Sequence, residues 1–220
     1  MTSGLSSGRT TGIAGPERQA LCDLFEQVGP DAPTLCEGWT TADLAGHLVV
    51  REGRPDAGLA IIVPPLRGYA ARIEKAAARR PWPALVDTLR QGPPLGRSAV
   101  SLPGLTDRAN VHEFFVHHED VRRARPSWVP RALRPELEAS LRTRLPVVAR
   151  LLLRRLRGAT LELALPDGQL HTVGRGEPHA RLSGPVSELT LWAFGRDAVQ
   201  VELDGDPEAV AAVRSLPRGL

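Results

Sequence analysis

Glu113, His117 and Asp120 follow one another at spacings of four and three in the stretch EFFVHHEDVRR, residues 113–123. On a helix of 3.6 residues per turn, the four-residue step sets Glu113 and His117 about 40° apart on one face. Asn110 precedes Glu113 by three, so the stripe 110–113–117–120 is wholly polar, while Val111, Phe114, Phe115, His118 and Val121 take the other side. A carboxylate oxygen and an imidazole nitrogen on one face are two ligands for a divalent metal. A catalytic zinc takes three protein ligands and leaves one position open. His47, in the stretch TTADLAGHLVVREG (40–53), is the candidate for the third. His112 and His118 point away from the stripe, and His171 and His179 fall in a region of different character. Asp43, four residues before His47, is a candidate to orient its ring, although it also sits where a helix cap would. A plainer reading exists: an amphipathic helix that buries its phenylalanines and leaves the polar stripe in water. Spacing alone leaves both open.

For these residues to meet, the segments that carry them must be helices. PERQALCDLFEQVG (16–29) opens with Pro and closes with Gly, as a helix should. The stretch 40–53 has Thr40 as an N-cap and Asp43 in the capping-box position. PPLRGYAARIEKAAARRPWPALVDTLRQGPP predicts one or two shorter helices, interrupted at Pro81 and Pro83. Residues 105–124 predict the helix with the cluster, capped by Thr106 or Asp107, and about 134–156 a further helix kinked at Pro146. After residue 158 the hydrophobic period drops to two. ATLELALPDGQLHTVGRG alternates on both sides of Pro-Asp-Gly, which predicts a hairpin. PHARLSGP predicts a strand, VSELTLWAFG a helix ended by Gly195, AVQVELDG a strand, and DPEAVAAVRSL a closing helix capped by Asp206. The expected class is α+β: a flexible tail over 1–15, a helical domain over 16–157 and a small α+β domain over 158–220.

Length and charge bound the rest. With 220 residues there is room for one large or two small domains and a real core. A net charge of +3 does not require nucleic acid, and the basic character comes from arginine, since Lys75 is the only lysine. The arginine-rich run 141–158 is the rival signal, but Leu145, Val148, Leu152 and Leu156 mark it as largely core. No apolar run reaches the roughly 18 residues of a membrane span, and the first fifteen residues lack the apolar stretch of a secretory signal. Cys22 and Cys36 are then expected to be reduced thiols of a cytoplasmic protein. No phosphate loop, serine elbow or CxxC pair occurs.

LCEGWTTADLAGHLVVRE (35–52) and NVHEFFVHHEDVRRA (110–124) together resemble the paired motifs of the mycothiol-dependent maleylpyruvate isomerase family, an actinobacterial branch of the DinB-like helical bundles. Trp39, Asp43, Leu44 and His47 match its W-x-x-x-D-L-x-x-H element, and Glu113, His117 and Asp120 its E-x-x-x-H-x-x-D element. The resemblance covers most of 16–157. It implies an up-down four-helix bundle whose polar stripe turns inward, with His47, Glu113 and His117 on one divalent metal, usually Zn²⁺, and Asp120, Asn110 and Asp43 behind them. Fe²⁺, Ni²⁺ or Mn²⁺ would also suit such a ligand set. The run from 158 resembles the small α+β domain, near the sterol carrier protein type, that often follows the bundle, and GPVSELTLWAFGR (184–196) is its best-matching element.

The implied chemistry uses mycothiol as a metal-activated thiolate that attacks a small electrophile, either to isomerise a double bond or to transfer sulfur. Arg196 is the candidate catalytic residue for holding a substrate carboxylate. Implied partners are a small-molecule substrate and a thiol, with no nucleic acid and no membrane, in a monomer or a dimer. The alternative is a metal- or ligand-binding protein on the same fold without catalysis, because no motif fixes an electrophile.

Overall fold

Helix α1 (Ala14–Val28) stops where Gly29 adopts a φ of 80°, which a side chain would strain. Helix α2 (Thr41–Gly53) starts at the expected cap. The Thr40 hydroxyl accepts from Asp43 N, and the Asp43 carboxylate accepts from Thr40 N, a complete capping box. The structure, a computed structural model, describes residues 12–54, 67–93 and 105–219, with side chains described from 68 and from 110 in the last two stretches. The expected tail up to residue 11 and the Thr106 or Asp107 cap lie outside these. Helices α3 (Arg67–Ala78) and α4 (Trp82–Gln91) are separate. Pro81 is the N-cap of α4 and Pro83 sits in its first turn, where a missing N–H costs no helical bond. Helix α5 (Leu105–Arg123) carries the cluster, and α6 (Pro135–Leu152) contains Pro146.

Packing divides the chain into two units, Met1–Trp128 and Val129–Leu220. In the first, α1 packs on α4 and α5, and α2 on α3 and α4. Leu21, Cys22 and Phe25 of α1, Leu44 and Leu48 of α2, Leu85, Val86 and Leu89 of α4, and Val111, Phe114 and Phe115 of α5 are buried together as its core. Cys22 is a free thiol whose pKa burial pushes up to about 12, an inert core group.

In the second unit, β1 (Thr160–Ala164) and β2 (Leu170–Gly174) form the predicted hairpin, with Gly168 at a φ of 86° in its turn. β3 (His179–Ser183) lies parallel to β1, and β4 (Glu202–Gly205) pairs antiparallel with β3, in the order β2-β1-β3-β4. The registers put Val173, Leu161 and Ala180 in one row and Leu163 and Leu182 in the next, all buried. Helix α7 (Val186–Ala193) is buried along its whole length, and α8 (Pro207–Arg214) packs on β1, β3 and β4. Asp206 stands at the N-cap of α8 as expected, but its carboxylate accepts from His179 N of β3 and makes no bond to the helix.

The chain is thus α+β, with eight helices and a four-stranded sheet among the described residues. The change of period at 158 does not coincide with the division in packing. Leu137, Leu141, Leu145, Ala149 and Leu152 form the buried stripe of α6, and this helix packs on α7 and β2. Among the described residues, no helix is long and apolar enough to cross a membrane.

Candidate metal centre

Between Asn110 and Val121, α5 is buried on both its faces, so its polar stripe does not lie in water. Buried polar groups need partners, and α2, the loop before it and α5 itself supply them. Glu113 Oε1 stands 3.4 Å from His47 Nε2 and 3.3 Å from His117 Nε2. The other nitrogen of each ring faces a different carboxylate: His47 Nδ1 is 2.9 Å from Glu74 Oε1, and His117 Nδ1 is 2.9 Å from Asp120 Oδ2. Those carboxylates accept the Nδ1 protons and leave both Nε2 atoms turned toward Glu113. That tautomer is the one a metal-ligating histidine needs.

Three electron-rich atoms that converge in this way repel unless positive charge stands among them. Protonation is one way to supply it. For His117, burial is the largest influence and opposes the charged ring, but the hydrogen bond to Asp120, joined by Cys36 and Glu113, outweighs it and lifts the pKa well above 6.5. For His47, burial again opposes, and Glu113 and Glu74 prevail to raise it. Burial would raise the Glu113 pKa, yet hydrogen bonds with His117 and His47 and the charge of Arg51 hold it well below 4.5.

A divalent cation is the other way, and the donor set fits one. Metal–nitrogen and metal–oxygen bonds of about 2.0–2.1 Å place tetrahedral ligands about 3.3–3.4 Å apart. The two imidazole–carboxylate separations match that edge, and all three donor atoms lie within 4.8 Å of one another. Around two neutral imidazoles, Glu113, Glu74 and Asp120 against Arg51 leave two negative charges. A divalent cation neutralises them.

The remaining candidates fall as follows. Asp43 is engaged in the capping box, and Glu74 holds the His47 ring in the place expected for it. Asn110 is buried and touches neither imidazole: its Oδ1 accepts from Arg51 NH1 and its Nδ2 donates to Glu52 Oε1. Arg122 and Arg123 reach Glu119. His118 is buried on the opposite side, 2.7 Å from Glu17 Oε1 of α1. Arg196 lies in the second unit, where Gly195 (φ 89°) ends α7; Arg196 N donates to Leu191 O, and NH1 to Phe194 O.

Four contributors were not among the expected site residues. Glu74 has no spacing relation to His47 and no sequence signal marks it. Arg51, whose Nε is 3.0 Å from Glu113 Oε1, follows His47 by four, so helical spacing places it on the same face. Cys36 sits in a loop that Leu35 N ties to Asp120 O, and its thiol donates to Asp120 Oδ2 at 3.3 Å. The half-buried Trp39 ring lies 5.2 Å from the His47 ring, centroid to centroid, and forms one wall.

Gly46 makes the Glu74 contact possible. A Cβ there would stand 2.8 Å from Ala78 N and 2.9 Å from Glu74 O, so α2 and α3 touch backbone to backbone. Gly46→Ala forces α3 away. The expected loss is about 1–3 kcal/mol of stability, net of the better helix propensity of alanine. Metal affinity should fall about tenfold as Glu74 leaves His47. Denaturant unfolding and chelator competition measure the two effects.

The same arrangement of helices and sheet occurs in solved proteins. A crystal structure of the mycothiol-dependent maleylpyruvate isomerase superposes with a TM-score of 0.59, over 88% of this chain and 91% of that one, at 17% identity. This chain has the isomerase fold. A second structure, a histidine-to-alanine mutant of the isomerase, matches with a TM-score of 0.61 at the same coverage and identity. No family model and no curated protein matches the sequence. The likeness to the isomerase is therefore one of fold.

Proposed function

We propose that this chain is a metal-dependent thiol protein of the isomerase type, which acts on a small electrophile by isomerisation or S-transfer. One observation carries the reading: three donors from α2 and α5 converge within 4.8 Å, each imidazole nitrogen at a tetrahedral edge from Glu113 and each ring's other nitrogen held by a carboxylate. In this reading His47, Glu113 and His117 hold one divalent cation, with zinc preferred, and leave a position for a ligand from solution. When bound, the cation supplies the charge that keeps a coordinated thiol deprotonated at neutral pH. Glu74 and Asp120 fix the imidazoles, Cys36 hydrogen-bonds Asp120, and Trp39 shields the His47 side from water. Mycothiol is the proposed thiol, and Arg196 the proposed partner of a substrate carboxylate. The first unit is read as a DinB-like four-helix bundle and the sheet unit as sterol carrier protein-like, in a cytoplasmic protein.

Metal analysis of the purified chain beside His117→Ala tests the centre: about one zinc per chain is expected, and loss of it in the variant. Thiol-dependent turnover of an electrophile panel, abolished by His47→Ala, tests the chemistry. Zinc without turnover would make the chain a binding protein. No stoichiometric metal after zinc reconstitution would sink the reading.

A further inference from the structure

We infer that Arg51 is a fixed counter-cation of this centre that holds metal affinity down and keeps loading reversible. The inference rests on the metal reading above. Arg51 Nε lies 3.0 Å from Glu113 Oε1, the same oxygen that faces both imidazole nitrogens. A cation that binds this oxygen must share it with a guanidinium.

The guanidinium is also clamped. Its NH1 donates to Asn110 Oδ1 at 3.0 Å, and Asn110 Nδ2 donates to Glu52 Oε1 at 2.8 Å. Asn110 and Glu52 are both buried, so a swing of Arg51 toward solvent would strand the Asn110 carbonyl. Glu52 feels the charge of Arg51, but its direct ion pair is with Arg18 of α1, 2.5 Å away. The direct ion pair of Arg51 is with Glu113.

Two consequences follow, and they have opposite signs. The hydrogen bond aims Glu113 between the imidazoles, which preassembles the donors and favours metal. The positive charge repels a second cation at close range and draws electron density from the carboxylate, which disfavours metal. Charge acts over the whole site, whereas the aim depends on one donor. The charge should dominate.

Arg51→Gln separates the two effects, because the glutamine amide nitrogen is as many bonds from the backbone as Arg51 Nε. It keeps a donor for Glu113 and removes the charge. Zinc would be titrated into the full metal-free chain against a colorimetric chelator, with wild type, Arg51→Gln and Arg51→Lys compared. Arg51→Gln is expected to bind zinc about tenfold tighter or more, and Arg51→Lys, which keeps the charge but not the fork that Asn110 holds, to fall between wild type and Arg51→Gln. Asn110→Ala releases the clamp without touching Arg51 and is expected to tighten zinc in the same direction, which covers the case that Arg51→Gln fails to fold. Zinc affinity that is unchanged or weaker in the neutral or unclamped variants, while wild type binds zinc, overturns the inference and makes Arg51 an aiming residue only. Zinc binding by none of the proteins, wild type included, overturns the metal reading itself and this inference with it.

Discussion

Replacing Glu113 with glutamine is expected to lower zinc from about one per chain to below about a tenth, and to destabilise the metal-free chain as well. Two independent arguments set the size. Structural zinc sites bind with about 10–16 kcal/mol shared over four positions, so one ligand is worth roughly 2.5–4 kcal/mol, or about two to three orders of magnitude in affinity. Glu113 is also the carboxylate that Arg51 and both imidazoles face. Removing one partner from a buried ion pair costs about 3–5 kcal/mol. Glu113 and Arg51 are about a fifth and a quarter exposed, so solvent screening reduces the expected loss to about 2 kcal/mol. A polar stripe on a water-facing helix would lose no more than about 0.5 kcal/mol on the same change. Metal content by mass spectrometry and a denaturant midpoint separate the two cases. Full zinc occupancy in Glu113→Gln would place the donors elsewhere.

The surroundings of Glu113 explain what the sequence makes legible and what it hides. Helix α5 could be drawn from its spacing, the glycine stop of α1 and the Thr40 cap of α2 were readable, and the hairpin announced itself through Pro-Asp-Gly. The orientation of the polar stripe could not be read from amphipathic pattern, because Phe115 and Asp120 are both fully buried on different faces of one helix. A pattern that assumes one wet face fails where a second polar surface, here His47 and Arg51 of α2, meets the first. Only a second motif, at 35–52, pointed inward. Glu74 was hidden for a different reason. Its contact depends on how closely α2 and α3 approach, which Gly46 sets, and one missing Cβ in a helix is a weak signal for a close approach. Asp43 shows the reverse case: spacing allowed it two roles, and the local one, the capping box, prevailed because it closes within four residues. The division between units was obscured because the stripe of α6 says that the helix is half buried, without saying against which partner.

Zinc-loaded and chelator-treated chains are expected to diverge in thermal stability as the pH rises above about 6.5. His47 and His117 have pKa values raised above 6.5 in the folded chain. Their contribution is complete below 6.5, where folded and unfolded chains both hold the proton, and it is lost as the pH climbs through the higher folded values. Glu113 has a pKa depressed well below 4.5, so its contribution is present above 4.5 and disappears as the pH falls through the folded value. All three contributions coexist between these limits, in mild acid. Above that window the metal-free chain weakens, because the imidazoles release the protons that face Glu113. Zinc needs those same nitrogens bare, so its binding strengthens over the same interval and offsets the loss. The melting temperature of the loaded chain minus that of the chelated chain should therefore widen with pH. A gap that stayed flat or narrowed would show that metal and protons do not compete for the Nε2 atoms. The carboxylate between His47 and His117 would then be bridging two imidazolium rings, and the centre would be a buried salt-bridge cluster.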